Sequence, residues 1–143
     1  MKPGIFRTLV YIILMSAPLT VNAVQRPDSF VELTTSDGLS QMSVLSIFQD
    51  SRGYMWFGTR NGLNRYDGYS FTHWLRDEDD PTSISDNYIK CISEDADGNL
   101  WLGTRTGLNR MCVKDGTFCR YMINDKEQFG ESNTIRALFA DHD

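Results

Sequence analysis

The feature that most constrains this chain is a motif that occurs twice, 45 positions apart. The first copy reads FGTRNGLNR from Phe57, and the second reads LGTRTGLNR from Leu102. A partial third copy begins at Ser132, where SNTIRALFAD resembles the SDNYIKCISED that opens the second copy. A period of this length is typical of β-propeller blades, which bury their faces only by stacking on their neighbours. The repeat therefore predicts an all-β chain of stacked blades.

Each copy is predicted to form one four-stranded antiparallel sheet. Stretches rich in β-branched and aromatic residues alternate with Gly, Asp and Asn at intervals too short for helices. The dipeptide Asp67-Gly68 predicts a two-residue hairpin turn before the last strand. The strands expected in the first copy are Val44–Gln49, Tyr54–Gly58, Leu63–Tyr66 and Tyr69–Trp74.

Most residues that are identical in the two copies have an expected structural role. Asp side chains stabilise their own turns by hydrogen bonding to the backbone. Glycines permit turn conformations or the close approach of strands, and the tryptophans are expected to fill the space between blades. These positions are Asp50, Gly53, Trp56, Gly58 and Gly62 in the first copy, and Asp95, Gly98, Trp101, Gly103 and Gly107 in the second.

The first 23 residues have the form of a secretory signal peptide. Lys2 and Arg7 precede an apolar run, and VNA ends it with small residues at the positions that signal peptidase recognises. The run is short for a bilayer span of about 20 residues, and Pro18 interrupts it, which argues against a membrane anchor. The expected organisation is a signal peptide at 1–23, a lead-in at 24–43, blade one at 44–82, blade two at 83–131 and the start of a third blade at 132–143.

The repeat resembles the two-component regulator propeller repeat. In that pattern an Asp-x-x-Gly turn is followed by Trp-x-Gly-Thr and then Gly-Leu-Asn-Arg. DSRGYMWFGTRNGLNR from Asp50 and DADGNLWLGTRTGLNR from Asp95 both carry it. The lead-in FVELTTSDGLSQMSV is similar to the opening of such proteins, where Phe30–Leu33 would be the outer strand that closes the last blade. The resemblance covers residues 30–143.

The resemblance implies a sensory role. In that family the repeats form the periplasmic region of hybrid histidine kinases, and many members detect fragments of polysaccharides. It therefore implies a periplasmic location, a small carbohydrate ligand, a homodimer, and further blades and a kinase in a full-length chain. Seven blades would need about 315 residues, whereas residues 24–143 provide two blades and the start of a third. We therefore expect either a fragment of a larger sensor or a truncated, non-functional remnant.

A propeller enzyme, such as a lyase, is the alternative. Such enzymes add histidine or acidic clusters around the axis, and His73 and His142 have no companions at metal-ligand spacing. The stretch Asp95–Asn99 begins like a calcium loop but lacks the later glutamate. We expect no catalytic site, no metal and no cofactor. A net charge of −5 with scattered basic residues also predicts no binding to nucleic acid.

The ligand candidates lie in the loops after the second strand of each copy. Such loops would face the end of a propeller where ligands usually enter, and loops carry most binding residues. Trp74 is added because it lies outside the repeated pattern and sugars stack on tryptophan. The alternative is a salt-bridged or solvated rim. The candidates are Arg60, Asn61, Arg105, Thr106 and Trp74.

Cys112 and Cys119 are predicted to form a disulfide. If Asp115-Gly116 is the tip of a two-residue hairpin, the two cysteines lie directly opposite each other, at a separation that a disulfide accepts. Cys91 aligns with Ser46 and is expected to remain a small buried thiol. Three free thiols are the alternative.

Overall fold

The computed structural model describes residues 30–122 and 133–141. The chain divides into residues 1–31 and residues 32–143. Of the first unit only Phe30 and Val31 are described, and both are exposed. The predicted signal peptide lies outside the described residues. Within the described residues, no helix is long and apolar enough to cross a bilayer.

Two four-stranded antiparallel sheets build the second unit, and in each the strands are adjacent in chain order. A 3₁₀ turn at Thr35–Asp37 precedes them. The all-β blade architecture predicted from the repeat is confirmed. The first sheet contains β1 (Val44–Gln49), β2 (Met55–Thr59), β3 (Gly62–Tyr66) and β4 (Phe71–Trp74), and the second contains β5 (Ile89–Glu94), β6 (Leu100–Thr104), β7 (Leu108–Cys112) and β8 (Thr117–Tyr121).

The last hairpin of each sheet is longer than the sequence predicts. Tyr66 pairs with Phe71, so four residues separate the paired ends and β4 starts two residues later than expected. The Asp67 carboxylate accepts hydrogen bonds from the N–H groups of Tyr69 and Ser70, each at 2.8 Å. This side-chain turn favours a four-residue loop, and the predicted two-residue turn at Asp67-Gly68 is wrong.

The same loop length changes the cysteine register. Cys112 pairs with Thr117, and Cys119 pairs with Arg110. The two cysteines are therefore diagonal neighbours, which are typically about 7–8 Å apart, rather than opposite each other. Both are free thiols, as is Cys91. The register that motivated the Cys112–Cys119 disulfide is wrong.

The two sheets pack face to face, with β5 of the second sheet against β1 and β2 of the first. A methyl group added to Gly58 would lie 2.8 Å from Cγ2 of Ile89, so β2 approaches β5 too closely for a side chain. The third copy repeats this contact, because a methyl group on Gly103 would lie 2.7 Å from Cγ2 of Ile135. The Ile135 N–H also donates to the Thr104 carbonyl at 3.0 Å. Residues 133–141 contain no assigned strand, yet they begin a third blade-like contact.

The core of the unit lies between the two sheets. Trp56 and Leu63 of the first sheet are fully buried against the second. Trp101 occupies the position equivalent to Trp56 but is only half-buried. The second sheet contributes Ile89, Leu100, Leu102, Met111 and Phe118 to this core, and the loop before β5 contributes Ile84.

A loop that the sequence analysis assigned to the lead-in is part of the repeat. The Asn64 side-chain oxygen accepts from the Ser40 N–H at 2.9 Å. Asn109 makes the same bond to the Ser85 N–H at 2.9 Å, and its amide nitrogen donates to Ser85 Oγ. The repeated Asn of the Gly-Leu-Asn-Arg motif thus holds the loop before the first strand of its own blade.

The outer strand expected at Phe30–Leu33 would close the last blade of a complete propeller, and it stays a prediction. None of these four residues lies in a strand. The remaining domain boundaries stay predictions.

Candidate functional site

The candidate site lies at one end of the two sheets. There β2 ends next to the start of β1, and β6 ends next to the start of β5. Both first strands begin with an irregular pairing, between Val44 and Ser46 in β1 and between Ile89 and Cys91 in β5. The extra residue of such a β-bulge is left outside the regular pairing, which redirects its side chain. That residue is Leu45 in the first sheet and Lys90 in the second.

Tyr88 brings two cations together at this end. The guanidinium carbon of Arg60, from the loop after β2, lies 5.8 Å from the centroid of the Tyr88 ring. The ammonium nitrogen of Lys90 lies 5.5 Å from the same centroid. Both distances are within the range of cation–π attraction. We call Arg60, Tyr88, Lys90 and Arg105 the basic rim.

Arg105 joins the rim through its backbone and carries its own counter-ion. Its N–H donates to the Tyr88 carbonyl at 3.3 Å. Its Nε lies 3.3 Å from a carboxylate oxygen of Asp86, whose side chain is 8% exposed. The other Asp86 oxygen accepts from the Tyr88 N–H at 2.8 Å. Asp86 therefore fixes both Arg105 and the backbone that positions the Tyr88 ring.

The third copy contributes to the same end of the blades. Thr134 donates its hydroxyl to the Arg105 carbonyl at 2.9 Å. Arg136, two residues further on, is exposed. It follows Ile135 as Lys90 follows Ile89. A fourth cationic side chain therefore begins close to the three cations of the basic rim.

The structure brings together four of the five predicted ligand candidates. Arg60 and Asn61 are exposed in the loop after β2, and the Asn61 N–H donates to Thr59 Oγ1 at 3.0 Å. The equivalent loop holds Arg105 and Thr106, whose N–H donates to Thr104 Oγ1 at 3.3 Å. Each loop is thus closed by the threonine that ends the preceding strand.

Trp74, the fifth candidate, has a different environment. Its ring lies 5.3 Å from that of Trp56 and 5.7 Å from the Arg65 guanidinium carbon. On another side it lies close to Gly116, where an added methyl group would be 3.0 Å from the indole nitrogen. Trp74 is half-buried in the contact between blades, and its ring does not belong to the basic rim.

A repeated hydrogen-bond network supports the scaffold beneath the rim. Asp50 accepts from the Tyr54 N–H and from the Trp56 indole N–H, both at 2.9 Å. Asp95 makes the equivalent bond to the Trp101 indole at 2.9 Å. Burial raises the pKa of Asp50, but the bonds from Trp56 and Tyr54 and the charge of Arg52 outweigh this and hold the pKa below its usual value. Each Asp thus fixes both its own turn and the tryptophan between blades.

Other clefts lie along the contacts between blades. One of about 360 Å³ is lined by His73, Trp74, Asp80 and the hairpin around Gly116. Another of about 500 Å³ lies between Phe48, Glu94 and Phe139. In the part of the chain that the structure describes, no group of three or more His, Cys, Asp or Glu side chains could hold a metal ion.

Comparison with known proteins agrees with this architecture. Residues 38–61 and 83–106 match a family model described as two component regulator propeller. Each of the two blades thus contains one segment that matches this family. Both matched segments begin at the loops that Asn64 and Asn109 hold, six residues before β1 and β5.

A curated relative is a histidine kinase. Over 82 residues the chain is 39% identical to histidine kinase P4 of Formosa agariphila, a match that covers 57% of this chain and 6% of that protein. The chain therefore spans only a small part of the length of this relative.

Two solved structures also resemble the chain. The extracellular domain of the one component system BT4673 from B. thetaiotaomicron matches with a TM-score of 0.54 and 29% identity, over 65% of this chain and 14% of that one. A structure of BT4673 described as a hybrid two component system matches with a TM-score of 0.50 and 29% identity, over 64% of this chain and 14% of that one. The two repeats are thus related to the extracellular domains of such signalling systems.

Sequence reasoning missed Asp86, Tyr88 and Lys90. The signal was present, because the first copy has Ser43 where the second has Tyr88, and Leu45 where the second has Lys90. Differences between copies of a repeat indicate positions that the scaffold does not dictate. The contact between Arg60 of one blade and Tyr88 of the next follows only from the stacking.

Proposed function

We propose that this chain is a ligand-sensing propeller module of a periplasmic two-component sensor. The observation that carries the proposal is the match of both repeats to the two component regulator propeller family. The likeness of the chain to solved extracellular domains of signalling systems supports it. The ligand class is a carbohydrate fragment, and the output is a change in the activity of a histidine kinase. Export across the inner membrane and a homodimeric sensor belong to the same proposal.

The chemistry of the basic rim supports a binding role. An aromatic ring, two guanidinium groups and an ammonium group offer many hydrogen-bond donors to the hydroxyl groups of a sugar. The residues beneath the rim that are identical in both copies are engaged in turns and packing. The positions that differ between copies, Tyr88 and Lys90, lie at the loop end of the blades. Binding sites built on scaffold loops follow this division.

Calorimetric titration of the full-length protein against a panel of oligosaccharides tests the proposal. We expect saturable binding of at least one oligosaccharide, and a change in phosphorylation of the kinase in membranes that contain the sensor. A protein that binds no glycan, or that converts a small substrate to product, would contradict the sensor proposal.

A further inference from the structure

We propose that the basic rim binds the acidic group of a carbohydrate that carries a carboxylate or a sulfate. This inference rests on the proposed sensor function and names the ligand class. It starts from the charge balance of the molecule, which has a formal net charge of −5. Cations collected at one end of an acidic protein create a local field that attracts anions.

Among the described residues, the rim cations Arg60 and Lys90 differ from the third, Arg105, in having no carboxylate partner. Arg52, Arg76, Arg105 and Arg110 each lie within 4 Å of a carboxylate oxygen. Among the residues that the structure describes, no carboxylate pairs with Arg60 or Lys90, and both groups lie over the Tyr88 ring instead.

A ring and a carboxylate hold a cation with different consequences. Cation–π attraction restrains the position of the charged group and leaves its charge and its N–H donors uncompensated. A carboxylate partner would neutralise both. Tyr88 therefore positions Arg60 and Lys90 while leaving them available to an external anion.

The geometry around the ring fits a planar or tetrahedral acidic group. A guanidinium can donate two parallel hydrogen bonds to a carboxylate or a sulfate, and the adjacent ammonium adds a third charged donor. The bulge at Ile89–Cys91 places Lys90 outside the regular pairing of β5, where its side chain meets Tyr88. Buried Asp86 already compensates Arg105, so Arg60 and Lys90 carry the selectivity for an anion.

The test is titration calorimetry of the full-length protein with two matched pairs of tetrasaccharides. One pair is oligogalacturonate and its methyl ester. The other is a sulfated carrageenan tetrasaccharide and its desulfated form. We expect the acidic member of one pair to bind at least tenfold more tightly than its neutral counterpart. The pair that shows the difference identifies the acidic group as a carboxylate or a sulfate.

Variants locate the binding site. Arg60→Gln and Lys90→Gln are each expected to weaken binding of the acidic glycan about fivefold, as for an exposed ion pair. The control Arg76→Gln removes an exposed arginine that pairs with Glu78, and it should leave the affinity within twofold. Raising NaCl from 0.05 to 0.5 M should weaken acidic glycans selectively, because salt screens exposed charges.

The outcomes separate the two proposals. Neutral glycans that bind as tightly as acidic ones, or rim variants that change affinity less than twofold, overturn the basic rim as an anion site and leave the sensor function standing. If neither kind of glycan binds, both proposals are contradicted.

Discussion

At the residue scale, the repeated aspartate connects a turn to the packing between blades. Asp50 is 4% exposed, and its carboxylate accepts from the Arg52 and Tyr54 N–H groups, the Arg52 guanidinium and the Trp56 indole. Hydrogen bonds to a charged group typically contribute about 1.5–3 kcal/mol. One side chain therefore determines both the turn geometry and the orientation of the buried tryptophan.

Asp50→Asn should lower the free energy of unfolding by about 2 kcal/mol at pH 7, because the amide loses the charge and one acceptor oxygen. The folded-state pKa of Asp50 is lowered, so its stabilisation is present above the unfolded value of about 3.9 and is lost as the pH falls through the folded-state pKa. Urea unfolding at pH 7 and at pH 3 measures this. A gap between the two proteins that stays constant between these pH values would contradict the account. The exposed control Asp79→Asn should change stability by less than about 0.5 kcal/mol.

Gly58→Ala should destabilise the contact between blades. The added methyl group would lie 2.3 Å from Ser46 Oγ and 2.8 Å from Ile89 Cγ2. Overpacking of this kind typically costs about 1–3 kcal/mol. Thermal unfolding measures the change, with the exposed Thr72→Ala as control. Equal melting midpoints for Gly58→Ala and Thr72→Ala would show that β2 and β5 are not in close contact.

At the element scale, hairpin register decides the state of the cysteines. Cys112 faces Thr117 because the loop from Val113 to Gly116 has four residues. We expect three free thiols on the denatured, unreduced protein. In the native protein, exposed Cys119 should react before Cys91, because burial raises the pKa of the Cys91 thiol and the thiolate is the reactive form. Titration with a thiol reagent checks both statements. A count of one thiol on the denatured, unreduced protein would show that two of the cysteines form a disulfide.

Asn109 should be costly to replace because it holds the loop before β5. It is fully buried and bonds both the Ser85 N–H and Ser85 Oγ at 2.9 Å. Asn109→Ala leaves a buried N–H without its acceptor, which typically costs about 1–3 kcal/mol. Asn109→Asp keeps the acceptor but buries a charge, so it should be at least as destabilising at neutral pH. Denaturant unfolding measures both, with the exposed Asn61→Ala as control. An Asn109→Ala protein as stable as the wild type would contradict the role of the loop.

The sequence predicted the elements better than their connections. Two nearly identical segments 45 residues apart imply a blade, and β1 begins and ends where expected. The hairpin length was missed because Asp-Gly is compatible with both a two-residue turn and the four-residue loop that the Asp67 side chain stabilises. The loop before each first strand was missed because little in its sequence identifies it. Each loop has one buried apolar residue, Leu39 or Ile84, and one serine whose N–H donates to an asparagine distant in sequence.

At the scale of the whole molecule, stacking produces features that neither repeat has alone. Arg60 and Arg105 are the same residue at the same position of their repeats. Arg60 meets Tyr88 of the next blade, whereas Arg105 meets Asp86 and Thr134. A repeated arginine thus acquires two environments, and only one of them leaves its charge without a carboxylate partner among the described residues. The sequence pointed to the loops that hold Arg60 and Arg105, and their role in binding stays a prediction. The Tyr88 ring beside Arg60 and the Thr134 hydroxyl beside Arg105 come from the neighbouring blade, whereas Asp86 belongs to the same blade as Arg105.

The central claim is a division of labour, in which repeated residues build the scaffold and the basic rim binds ligand. The most direct test measures thermal stability and affinity for the bound glycan on the same two variants of the full-length protein. Trp56→Ala should cost about 3–5 kcal/mol of stability and leave the affinity of the folded protein within twofold. Arg60→Gln should weaken binding about fivefold with little change in the melting midpoint. If Arg60→Gln lowers the midpoint as much as Trp56→Ala does, or if Trp56→Ala abolishes binding where the protein is still folded, the division is contradicted.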